Sequence, residues 1–170
     1  FLRTQKQLLA RIQVSLAGLV AEEIWYGQTT SGPSSDLVNA TRNAAAYVGV
    51  YGMGRSLISA AASGPGPYGE VDPIGVVLSD GDRRREVDAI LNDCRDNVRN
   101  LLLKKRHVVE GVRDALLERE ELVGDEIEVL MAELGEREPI EVPSTPQGDG
   151  LAFEPGGNGQ GGGGNGQGQV

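Results

Sequence analysis

DRRREVDAILNDCRDNVRNLLLK, running from Asp82 to Lys104, decides the fold. Its apolar residues are Val87, Ile90, Leu91, Cys94, Val98, Leu101 and Leu102. They recur at spacings of one, three and four, which places them on one stripe of a helix, while Asp, Asn and Arg occupy the rest of its circumference. Such a stripe has to be covered by other elements. Only 4% of the 170 residues are aromatic, so the covering core must be built from Leu, Val, Ile and Ala. That composition suits helices packed on helices, and the expected class is all-α with about five helices.

Working upstream, Gln5 to Trp25 repeats the pattern with Leu8, Leu9, Ile12, Leu16, Leu19, Val20 and Ile24. Gly18 interrupts this helix at a cost of about 1 kcal/mol relative to Ala, which a close approach by another backbone would explain. Gly27 to Ser35 is a loop rich in turn residues. A second helix, from Asp36 to about Tyr51, is expected to bury Leu37, Ala40, Thr41, Ala44, Ala45 and Val48. Gly52 to Asp82 reads as a long irregular loop. Gly64-Pro65-Gly66-Pro67 is incompatible with helix or a central strand, and Ile74 to Leu78 reads as a short extended segment.

Downstream, His107 to Arg119 forms a fourth helix with Val108, Val109, Val112, Leu116 and Leu117 facing inward. Lys104-Lys105-Arg106 either breaks the chain from the preceding helix or continues it. A fifth, short helix starts at Gly124-Asp125, with Asp125 as N-cap and Ile127, Leu130, Met131 and Leu134 as its apolar face. No periodicity follows Gly135. Residues 1–135 are thus expected to form the helical domain. Residues 136–170, rich in Gly, Pro and Gln, are expected to be a disordered tail, because they offer too little apolar surface to offset the entropy of ordering.

Net charge and composition exclude several functions. The chain carries a net charge of −9, whereas a nucleic-acid binder presents a basic face. Arg83-Arg84-Arg85 and Lys104-Lys105-Arg106 are short and read as solvated helix ends. Cys94 is the only cysteine, so no disulfide forms within the chain, which fits a reducing compartment. Its apolar position points to a buried structural thiol rather than a nucleophile. No stretch approaches the roughly 20 apolar residues of a membrane span. The sequence begins at Phe1 rather than Met, as expected of a processed chain or a piece of a longer one.

Few residues carry chemistry. His107 is the only histidine, so a Ser-His-Asp triad, a His-Cys zinc finger and an HExxH metal site are excluded within the chain. It reads as a surface side chain at a helix boundary. Glu22 and Glu23 are adjacent and point about 100° apart on a helix, so they do not form an acid–base pair. They read as a solvated helix end, with one of them bordering the apolar stripe. Asp36 follows a Gly/Ser/Thr-rich loop at a helix start. Two roles fit it: capping the helix or stabilising its dipole, or supplying a metal with one carboxylate ligand.

An ordered series of short matches then bears on the choice. Leu9-Ala10-Arg11-Ile12, Leu16-Ala17-Gly18, Ala21-Glu22-Glu23-Ile24, Tyr26-Gly27, Thr30-Ser31-Gly32, Ser34-Ser35-Asp36-Leu37, Ala40-Thr41 and Tyr51-Gly52-Met53-Gly54 resemble the peptidase domain of FtsH-type ATP-dependent zinc metalloproteases, which belong to the AAA+ proteases. The helix Val87 to Leu102 and the segment from Ala115 to Ile127 resemble later parts of that domain. The resemblance covers about Gln5 to Leu134. Three positions and one segment depart from the family pattern. Ser35 stands where asparagine is usual, Ala17 replaces a glycine, Leu19 replaces an arginine, and the segment after Met53 lacks leucine-glycine-proline.

The resemblance implies a zinc site shared between Asp36 and two histidines of an HExxH helix expected upstream of Phe1, whose glutamate activates water. No catalytic residue then lies in this chain. Glu22 is implied as the residue that orients a ligating histidine. ATP and Mg would belong to an AAA+ module further upstream, together with a membrane anchor that leaves this domain in the cytoplasm. Protein substrates, including unfolded and membrane proteins, and a homo-hexameric ring follow from the same resemblance, with no nucleic-acid partner. Retention of Asp36 and Glu22 points to an active enzyme in the intact protein and an inactive fragment alone. The alternative is a non-catalytic assembly or interaction module with a degenerate zinc site, or a helical bundle of unrelated origin.

Overall fold

A computed structural model describes residues 2–62 and 72–136. Among them are six α-helices, α1 (Gln5–Tyr26), α2 (Ser34–Gly49), α3 (Pro73–Ser79), α4 (Gly81–Lys104), α5 (Arg106–Arg119) and α6 (Gly124–Glu133), with one 3₁₀ turn at Ala60–Ala62. No strand occurs among the described residues, and the all-α expectation holds. Among the described residues no helix is long and apolar enough to cross a membrane. The expected tail at 136–170 lies outside the described residues except for Glu136, as does Gly64 to Pro67.

Helices α1, α2 and α4 pack against one another and enclose the core. α1 begins with a capping box. The Thr4 hydroxyl accepts from Gln7 N at 3.3 Å and the Gln7 side chain accepts from Thr4 N at 3.0 Å, satisfying two donors that a helix start leaves open. The stripe of α1 buries Leu8, Leu9, Ile12, Leu16 and Val20, and that of α4 buries Val87, Ile90, Cys94 and Val98. Burial of each large aliphatic side chain contributes about 1.5–3 kcal/mol. α2 meets them with Ala40, Ala44, Ala45 and Val48, and also with Tyr47. The alanines let its backbone approach closely. Gln13, the one buried polar side chain among the described residues, hydrogen-bonds the Cys94 thiol.

Helix α3 corrects the extended segment expected at Ile74 to Leu78. The Asp72 carboxylate accepts from Ile74 N at 3.0 Å, and Pro73 occupies the first turn, where its missing N–H costs nothing. Asp80 then ends α3 and caps α4 by accepting from Arg83 N at 2.9 Å. Val77 is fully buried against Gly49 of α2, whose missing side chain makes room for it.

Three finer expectations also change, and one open alternative is resolved. Leu37 is 43% exposed although it shares the row of Ala40, Ala44 and Val48, because it lies in the first turn of α2, at the end of that row. Gly18 faces open space, with nothing within 4 Å of a Cβ built there, so no backbone approach among the described residues explains it. Lys105 breaks the chain between α4 and α5. Asp125 lies in the first turn of α6 rather than at its cap, which is Val123, and Glu126 reaches back to accept from Val123 N at 3.0 Å.

The α5–α6 arm touches the rest of the fold through few side chains. Val108 and Ala115 are buried, whereas Leu116 and Leu117 are exposed rather than inward. Trp25 of α1 donates from Nε1 to Glu110 of α5 at 3.2 Å, and Arg106 donates to the same carboxylate at 2.8 Å. The Arg106 guanidinium also stands 5.5 Å from the Trp25 ring centre, within cation–π range. These two hydrogen bonds hold the Glu110 carboxyl below its ordinary range, Arg106 contributing most. Leu134 closes the arm against Gly111, where a Cβ would lie 2.6 Å from Leu134 Cδ2.

Candidate metal centre

Helix α1 ends at Gly27, whose φ of 68° lies in the left-handed region open to glycine. Residues 28–33 then turn the chain into α2, so the two helices form a hairpin. Within this loop only Pro33 is buried. Little apolar burial is therefore available to fix the loop, and polar bonds must do it.

Glu22, in the last turns of α1, provides them. Its Oε2 accepts from Thr30 N at 2.7 Å and its Oε1 accepts from Thr30 Oγ1 at 3.0 Å. Thr30 Oγ1 in turn accepts from Gly32 N at 3.1 Å. Ser34 N donates to Ser31 O at 3.2 Å, and Leu37 N to Pro33 O at 3.0 Å, which starts the α2 ladder. Glu23, one residue on, faces α4 and pairs with Arg95 at 2.6 Å and Arg99 at 3.4 Å. The adjacent glutamates are both half-buried and serve two different neighbours, so the expected solvated helix end is replaced by two anchors.

Asp36 sits in the first turn of α2, exposed and not at the cap position, which is Pro33. A carboxylate there is favoured by the positive end of the helix dipole. No hydrogen bond or ion pair to it occurs among the described residues. Both oxygens are therefore available to a ligand, and carboxylate oxygen is an accepted zinc donor. Among the described residues no group of three His, Cys, Asp or Glu side chains gathers to hold a metal. A metal held by Asp36 would need its other ligands from outside these residues. The donor chemistry fits; one ligand of the set is present.

The other candidates fall elsewhere. His107 is exposed in the first turn of α5. Cys94 is buried in the core, and burial pushes its thiol up to about 11 against the opposing hydrogen bond from Gln13. It is an inert structural thiol at neutral pH. Thr30, the partner of Glu22, was not distinguishable from the other loop hydroxyls by its sequence position alone.

The family model for peptidase family M41 matches residues 1–130. Among curated relatives, an ATP-dependent zinc metalloprotease FtsH from Chloroflexus aggregans is 38% identical over 144 residues, covering 76% of this chain and 21% of that protein. The protein of the same name from Rhodothermus marinus is 34% identical over 125 residues, covering 72% and 18%. That from Syntrophobacter fumaroxidans is 33% identical over 159 residues, covering 84% and 24%. The chain thus spans about a fifth to a quarter of the length of these relatives. The match over most of the helical fold is what makes this chain a member of peptidase family M41.

Proposed function

We propose that residues 1–135 form part of the peptidase domain of an ATP-dependent zinc metalloendopeptidase, and that Asp36 is its carboxylate metal ligand. The observation that carries this reading is the Asp36 carboxylate, exposed in the first turn of α2 at the end of a loop tied down by Glu22. The names of the curated relatives support the same chemistry. Two histidines and the glutamate of an HExxH helix elsewhere in the whole protein complete the site.

When bound, zinc supplies Lewis-acid polarisation of the scissile carbonyl and lowers the pKa of bound water. The part of this chain is to present one negatively charged oxygen at a fixed place. The Glu22 carboxylate holds the loop, and the loop sets the start of α2, whose first turn carries Asp36. The substrates are protein chains, unfolded or drawn from membranes. An AAA+ module using ATP and Mg delivers them, in a homo-hexameric ring anchored to a membrane with this domain in the cytoplasm.

Asp36→Asn in the full-length protein tests the reading. The amide is nearly isosteric and lacks the charge. Zinc content measured by atomic absorption is expected to fall, casein degradation to stop, and ATP hydrolysis to continue. Full zinc occupancy with undiminished casein degradation would overturn the assignment.

A further inference from the structure

We infer that Thr30 and Glu22 act as one unit that positions Asp36, and that Glu22 acts through the loop rather than on an incoming histidine. The inference rests on the metal-ligand reading of Asp36. Each Glu22 oxygen already accepts a hydrogen bond from Thr30, one from its N–H and one from its hydroxyl. Charge-assisted bonds of this kind are about twice as strong as neutral ones. Because the hydroxyl proton goes to Glu22, an oxygen lone pair of Thr30 is left to receive Gly32 N, as it does at 3.1 Å. The connection runs in order from the end of α1 through Thr30 and Gly32 to the turn at Ser31–Ser34 and then the first turn of α2.

Among the described residues nothing else ties this loop so closely. Pro33 is its only buried residue, and the remaining loop bonds are short-range turns. The space at Gly32 is also tight, since a Cβ there would stand 3.2 Å from Thr30 Oγ1. The Thr30 hydroxyl thus sets both the path of the loop and the place where Asp36 emerges. Thr30 is a positioning residue and takes no part in the chemistry.

Thr30→Val and Thr30→Ser in the full-length protein, with Glu22→Gln and Asp36→Asn alongside, provide the test. Val keeps the branched shape and removes the hydroxyl; Ser restores it. Zinc affinity is read by competition with a chromophoric chelator, and thermal midpoint and ATP hydrolysis are measured on the same samples. Thr30→Val is expected to lose about 10- to 100-fold in zinc affinity, the range seen when supporting partners of a metal ligand are removed. Thr30→Ser is expected to stay within about threefold of the parent. Glu22→Gln combined with Thr30→Val is expected to cost little more than the larger single loss, since the two act as one unit. An unchanged zinc affinity in Thr30→Val, with a loss in Glu22→Gln, would overturn the proposal and return Glu22 to direct orientation of a histidine. A loss in Thr30→Val that Ser does not restore, or one matched by a fallen thermal midpoint, would also overturn it. Full zinc affinity in Asp36→Asn would instead refute the underlying assignment of the metal ligand.

Discussion

Replacing Gly49 by alanine tests the contact that seats α3. Gly49 is the last residue of α2, and a Cβ built on it lies 2.1 Å from Val77 Cγ2, 3.4 Å from its Cβ and 3.5 Å from its Cγ1. Carbon atoms in good contact stand about 3.5–4.0 Å apart, so one methyl overlaps by roughly 1.5 Å. Val77 is fully buried and β-branched, and its χ1 has few staggered wells to choose from. Relief therefore requires a shift of α3, a seven-residue helix seated against α2 and α4. Overpacking of this kind costs about 1–3 kcal/mol. Gly→Ala returns at most about 1 kcal/mol of helix propensity, and less at the last position of a helix.

The expected net loss for Gly49→Ala is about 1–2 kcal/mol. For a domain of this size that corresponds to roughly 3–8 °C in thermal midpoint. Urea and thermal unfolding followed by far-ultraviolet circular dichroism measure it. Val77→Ala removes the offending methyls, so the double variant should be more stable than the sum of the two single losses predicts. A Gly49→Ala variant as stable as the parent, or strict additivity with Val77→Ala, would refute the packing described for this pair.

Two further outcomes are expected. Gly18→Ala places its Cβ in open space in the middle of α1, so it should raise stability by about 0.5–1 kcal/mol; a loss on urea unfolding would mean that the position is covered. Cys94, with its thiol at about 11, has roughly one molecule in a thousand ionised at pH 8, and should react with a disulfide reagent only after unfolding. Its raised folded-state pKa contributes stability that is intact below the unfolded value near 8.5 and is lost as pH climbs toward 11. Cys94→Ala should therefore lose less stability than the parent between pH 8 and pH 10.5, and an identical pH dependence of the two would contradict the burial.

What could be read in advance follows from the physics of each element. α1 and α4 are long, and their apolar residues repeat often enough for the helical period to dominate every other signal. Ile74 to Leu78 is short and largely β-branched, and such a run is ambiguous between strand and helix. Its helical nature lay in the flanking residues, with Asp72-Pro73 as a start signal and Asp80 as a cap for the next helix. The metal-ligand reading proposed for Asp36 comes from the family resemblance, because a carboxylate at a helix start has ordinary structural reasons to be there. The role of Glu22 at Thr30 crosses eight residues and a reversal of the chain, so no periodicity reveals it. The exposure of Leu116 and Leu117 depends on how little of α5 the core covers, which is a property of the tertiary arrangement rather than of α5 itself.

The cluster that joins α1 to α5 also gives the molecule a natural optical probe. Trp25 is its only tryptophan, and the indole is hydrogen-bonded to Glu110 and faced by the Arg106 guanidinium. Both partners belong to the arm, while the ring itself is carried by the core. Its emission therefore responds to release of the arm as well as to melting of the three-helix core. Acidification that neutralises Glu110 acts on the same joint, so a change of Trp25 emission at unchanged helical circular dichroism marks a detached arm rather than an unfolded domain.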